Sequence, residues 1–193
     1  MMQSKKTQKR QSAYEWVQTL VCSVLAVVLL FVFVARVIVV DGESMRETLQ
    51  DRDILLVLND ALSGEYEAGD IIVLSKAAFR DGAPIVKRVI ATEGQTVDID
   101  FDAGIVYVDG LALEEDYIRE PTWTPEGIEF PLTVPEDHVF VLGDNRNESS
   151  DSRHIDLGPI DERMVIGRAV FLFFPGVTED CGEREWSRIG LID

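Results

Sequence analysis

From Val17 to Val40 the chain is apolar almost without a break, interrupted only by Gln18, Thr19, Ser23 and Arg36. As a helix, a run of that length crosses a hydrocarbon core of about 30 Å. The run is too long for the apolar region of a cleaved secretory signal, typically about 7–15 residues. It is followed by Asp41-Gly42-Glu43 rather than by a small-x-small cleavage pattern. An uncleaved transmembrane anchor over 17–40 is therefore expected. Arg36, near its far end, can extend its long side chain to the headgroups. Tyr14 and Trp16 suit the near interface, where an amphipathic ring keeps its polar edge wet. Residues 1–16 hold Lys5, Lys6, Lys9 and Arg10 against Glu15 alone. They read as a flexible tail on the cytoplasmic side, since the positive-inside rule retains that end. Residues 41–193 then form a domain outside the cell membrane.

The net charge of -17 is carried by that outer part. Such an acid excess serves solubility. It excludes nucleic acid as a partner, because phosphate binding needs clustered Lys and Arg. The two cysteines, Cys22 and Cys181, fall in lipid and in the outer domain, so a bridge between them is implausible. No Cys/His spacing suggests a metal site, and no cofactor is expected.

The outer domain reads as mainly β, with antiparallel pairing. Asp53–Leu58, Ile71–Leu74 and Ile85–Ala91 are short apolar strands. Thr96–Phe101 alternates, with Val97, Ile99 and Phe101 on one face and Asp98 and Asp100 on the other. Asp109-Gly110, between Ile105–Val108 and Leu111–Leu113, is a strong hairpin signal. Glu114–Pro135 is acidic, proline-bearing and loop-like. Residues from about 92 to 137 thus suggest a small inserted hairpin and loop region. His138–Leu142 and Met164–Phe174 are further strands, and Glu183–Ile189 could form a short helix.

Few residues can carry chemistry. Ser44, just after the anchor, is either a nucleophile or a serine in a turn. After the anchor only Lys76 and Lys87 remain as lysines. Lys76 reads as a solvated surface residue. Lys87 sits mid-strand, with Ile85 and Val89 expected on its face. On a buried face its ammonium is costly and its pKa falls, so that it can act as a general base; on an edge strand it is simply exposed. Gly143–His154 is dense in donors and acceptors and reads either as a solvated loop or as a platform under a site. His138 and His154 read as structural or surface residues, since no spacing ties either to Ser44.

Taken together, Ser44-Met45 after an anchor, Gly69-Asp70-Ile71-Ile72-Val73, Lys87-Arg88-Val89-Ile90 and Gly143-Asp144-Asn145-Arg146 with Ser149, Asp151, Ser152 and Arg153 resemble bacterial type I signal peptidase. The compact form typical of Gram-positive bacteria is the nearest in spacing. The resemblance implies an antiparallel β-sheet or partly open barrel carrying a Ser/Lys dyad, with Ser44 as nucleophile and Lys87 as base. It implies that Ser149 hydrogen-bonds and orients the lysine. Asp144 with Arg88, and Asp151 with Arg153, would brace the site. The Ser44 N–H would contribute to the oxyanion hole. Gly42 stands where some members place a second, serine donor and has no side chain to offer. Val40, Leu49 and Val86 would line shallow pockets for small residues at -1 and -3 of a signal peptide. The implied substrates are the signal peptides of secreted preproteins at a lipid surface. Where the family usually has Ser-Met-x-Pro, position 47 is glutamate, and Glu93 likewise replaces a usual proline. A non-catalytic, membrane-tethered β scaffold is the competing reading. A self-cleaving repressor is disfavoured, because a membrane helix stands where its DNA-binding domain would be.

Overall fold

A computed structural model describes residues 2–178 and 182–192; Cys181 lies outside them. The chain divides into two compact units, 1–36 and 37–193. The first holds helix α1 (Met2–Phe33), which also covers the stretch read from sequence as a flexible tail. Its Tyr14–Phe33 portion, 20 residues, is long and apolar enough to cross a membrane, and none of it is buried. A helix apolar all round with no protein face to bury suits a lipid surrounding.

The apolar run does not stay helical to Val40. It turns at Val34 and continues as strand β1 (Ala35–Val39). Valine and isoleucine fill positions 37–40. Branching at Cβ restricts their rotamers in a helix and suits the pleated strand.

Among the described residues the rest is mainly antiparallel β. The strands are β2 (Ile54–Asn59), β3 (Ile71–Leu74), β4 (Ile85–Ala91), β5 (Thr96–Asp100), β6 (Ile105–Val108), β7 (Leu111–Ala112), β8 (Leu132–Thr133), β9 (His138–Leu142), β10 (Ile160–Asp161), β11 (Val165–Phe174) and β12 (Gly190–Leu191). One sheet runs β1-β2-β11-β3-β4-β9-β10, with β12 added on β11. Its ends, β1 and β10, do not pair, so it stays open. The expected mainly antiparallel β class with one N-terminal apolar helix is what is found. A second sheet, β7-β6-β5-β8, falls within 92–137. Its hairpin turns at Asp109 (φ 52°) and Gly110 (φ 79°). Positive φ at both central residues matches the right-handed twist of the paired strands. Glu183–Ile189 is not α-helical; it holds a single 3-10 turn, Trp186–Arg188.

Every residue of β4 is buried. Ile85 and Val89 pack into one apolar cluster, with Leu74, Val141 and Leu157. Val86, on the alternate face, joins another with Val40, Met45, Leu49 and Leu55. Lys87 is therefore neither on an edge strand nor exposed.

Candidate active site

Strand β3 pairs with β4 from Ile85 to Arg88, whereas β9 pairs only with Arg88, Val89 and Ala91. The β9-side flank of Ile85–Lys87 thus has no strand beside it, and there the chain leaving β9 meets the Ser44 loop. Gly143 is the crossing point. A Cβ on it would lie 2.2 Å from Ser149 Oγ and 2.4 Å from the Ser44 carbonyl oxygen. Only glycine permits that approach. Beyond it, the Asn145 N–H donates to the Ser44 carbonyl at 3.0 Å. The Asn145 side-chain amide donates to the Glu43 carbonyl at 3.2 Å.

These contacts set Ser44 against Lys87. Lys87 Nζ lies 2.5 Å from Ser44 Oγ and donates also to its neighbour's carbonyl, Val86 O, at 3.1 Å. Lys87 is 2% exposed. Burial lowers its pKa from 10.5 to about 8, against the opposing pull of Asp151; nearby Arg80 lowers it further. The pair opens into a cleft of about 470 Å³ lined by Asp41, Gly42, Glu43, Ser44, Phe79, Arg80, Lys87, Glu148 and Ser150.

Two buried ion pairs flank the site. Arg88 grips Asp144 with Nε and Nη2, at 3.0 and 2.9 Å. The Thr48 hydroxyl donates to the same carboxylate at 2.5 Å, and the Tyr117 ring lies 4.1 Å from the guanidinium. Arg153 grips Asp151 at 2.8 and 2.9 Å. Asp151 Oδ2 also accepts the Gly143 N–H at 3.0 Å and the Ser149 hydroxyl at 2.8 Å. Ser149 thus departs from the role the resemblance implies. Its hydroxyl is turned to Asp151, and among the described residues no hydrogen bond joins it to Lys87. The Gly42 N–H is taken by Asp51 Oδ1 at 2.9 Å, so its backbone does not supply the donor that its missing side chain cannot. Val40, Leu49 and Val86 do come together, within one buried apolar cluster.

Neither histidine lines the cleft. His138 Nδ1 meets the Glu136 carbonyl, and His154 stands edge-on behind Phe79. Glu93 accepts the Asp137 N–H at 3.0 Å, in a loop contact. No group of three or more His, Cys, Asp or Glu among the described residues could hold a metal. Several supports were not legible in the sequence. Arg146 is fully buried and forks onto Glu115 at 3.0 and 2.5 Å. Thr48 and Tyr117 complete the Arg88–Asp144 cluster. Thr48 and Tyr117 lie in stretches whose local pattern suggests only a turn or an acidic loop, whereas Arg146 stands in the donor-rich Gly143–His154 segment and only its partner Glu115 was not indicated.

A serine hydroxyl against a buried lysine amine, with both histidines elsewhere, is the arrangement of serine peptidases of the Ser–Lys type. The profile of peptidase S26, described as signal peptidase, matches residues 13–174. A signal peptidase I of Bacillus licheniformis is 35% identical over 91% of this chain and 96% of its own. Signal peptidase I S of Bacillus subtilis (strain 168) is 33% identical over 90% and 96%. A probable signal peptidase I-1 of Synechocystis sp. is 39% identical over 89% and 83%. The chain belongs to the S26 family of signal peptidases and is a hydrolase that cleaves signal peptides.

Proposed function

We propose that the chain is a membrane-anchored endopeptidase in which Ser44 is the nucleophile and Lys87 the general base. The 2.5 Å approach of Lys87 Nζ to Ser44 Oγ carries the reading. Once neutral, the amine accepts the Ser44 proton as Oγ attacks the scissile carbonyl carbon. The tetrahedral oxyanion faces the Ser44 N–H, which no hydrogen bond among the described residues occupies. As the C–N bond breaks, Lys87 passes its proton to the departing amine. It then takes a proton from the water that hydrolyses the Ser44 ester. Asp144 with Arg88, and Asp151 with Arg153, hold the two chain segments that bring the pair together. Ser149 acts through Asp151 rather than on the lysine directly.

The same geometry supports a substrate reading. An extended peptide would lie in the cleft beside Ser44 and Lys87, held by backbone hydrogen bonds as an added strand is. Small side chains at -1 and -3 suit the shallow apolar surface over Val40, Leu49 and Val86. Preproteins reach the site from the lipid in which α1 is anchored, with the basic N-terminus cytoplasmic and 41–193 outside. Ser44→Ala and Lys87→Ala, assayed on a model preprotein in detergent, are each expected to lose turnover by at least about a thousand-fold. Circular dichroism is expected to report an intact β domain in both. Normal turnover by either variant overturns the dyad.

A further inference from the structure

Ser44 lies on the loop that joins β1 to β2. The far end of that loop is held by a residue that arrives from the C-terminal tail. Asp53 is fully buried. Its carboxylate accepts the Gln50 N–H at 2.8 Å and the Gly176 N–H at 2.6 Å. Two further donors come from one guanidinium: Arg188 Nη1 at 3.1 Å and Nη2 at 2.6 Å. Nη2 also donates to the Thr48 carbonyl at 3.1 Å. Thr48 is the residue whose hydroxyl touches Asp144, and Asp144 holds Arg88, the neighbour of Lys87 on β4. A continuous set of contacts therefore runs from the tail through Thr48 and Asp53 to both sides of the Ser44–Lys87 pair.

We infer that Arg188 is a positioning residue for the nucleophile, clamping the serine loop from the tail. It does not line the cleft, so it acts through the loop rather than on substrate. It also lies beyond the 13–174 stretch that the family profile matches. The role needs a guanidinium. Three acceptors on two residues are met by one planar fork, which a lysine ammonium does not reproduce. Without it, a buried carboxylate keeps only backbone donors, the Thr48 carbonyl loses its partner, and the loop that carries Ser44 loses a tether at its far end.

The inference rests on Ser44 being the nucleophile, so the test includes Ser44→Ala in the same assay. Full-length Arg188→Ala, Arg188→Lys and the tail control Leu191→Ser are compared on a model preprotein. Arg188→Ala is expected to lose about ten-fold or more in kcat, with KM within about two-fold. The pH midpoint of its activity is expected to stay where the wild type has it, since Lys87 keeps its surroundings. Arg188→Lys should recover part of the loss, and millimolar guanidinium ion should restore turnover to Arg188→Ala but not to Ser44→Ala. Leu191→Ser, altered at a 78% exposed side chain, should match the wild type. Wild-type kcat in Arg188→Ala overturns the clamp. So does a loss that merely equals the unfolded fraction seen by circular dichroism and ignores guanidinium. Turnover by Ser44→Ala would instead overturn the dyad reading, leaving the contacts of Arg188 as a structural brace.

Discussion

Lys87 governs two pH dependences, and both activity and stability rise with pH. For activity, the base must be neutral, so the rate is expected to fall as pH drops through about 8, with unit slope. A pH–rate profile flat to mildly acidic pH would contradict this. For stability, the folded pKa lies below the unfolded value of 10.5, so the unfolded chain binds more protons between about 8 and 10.5. The burden of the buried ammonium is fully present below pH 8 and lifts as pH rises towards 10.5. The fall from 10.5 to about 8 corresponds to about 3 kcal/mol. Lys87→Met is therefore expected to be inactive yet more stable than the wild type at pH 7, by up to about that amount. The gap should narrow by pH 9.5, as read from urea midpoints. Position 47 is a second residue whose role the backbone decides. Glu47 has φ 93°, which a proline ring cannot adopt. The proline usual in the family is excluded by this conformation. Glu47→Gly is expected to stabilise by about 1 kcal/mol and Glu47→Pro to destabilise by more, both read from denaturant midpoints.

Strand β4 serves the site from both faces. Lys87 goes to the serine, and Arg88, one residue on, goes to Asp144. Removing one member of that buried pair leaves the other charge stranded. Asp144→Ala is expected to cost about 3–5 kcal/mol in denaturant midpoint, well beyond an ordinary surface change. The strands themselves were largely legible in the sequence. Thr96–Asp100 alternates, and Asp109-Gly110 sets its own turn. The division of the apolar run at Val34 was not legible, because a short apolar stretch rich in valine reads equally as buried helix or strand. Lys87 stood out because a lysine in the middle of an apolar strand is anomalous wherever the strand lies. Around it, the Arg88–Asp144 and Arg153–Asp151 pairs were implied by the resemblance, but the longer-range supports were not. Arg146 meets Glu115 across 31 positions and Arg188 meets Asp53 across 135. Pairings at such separations follow from the tertiary path, which no local pattern encodes. The Ser149 hydroxyl donates to Asp151, two residues away and itself held by Arg153, a contact that no local pattern encodes.

At the scale of the molecule, the 1–36 unit holds most of the helix long and apolar enough to cross a membrane. The 37–193 unit carries its own apolar clusters and the whole of the cleft. The full chain is expected to sediment with lipid vesicles. A chain lacking residues 2–33 should remain in the supernatant and still cleave a soluble signal-peptide substrate. The close placement of Lys87 and Arg88 on alternate faces of β4 also sets where the gene can change length. Adding or deleting one residue between Ile85 and Lys87 would exchange the two faces, turning an ever-charged guanidinium to the serine and the titratable amine to Asp144. The turns of the second sheet bear no such reading frame. One residue inserted after Gly110 should leave cleavage intact, and length differences between this chain and its relatives should gather there, with none in β4.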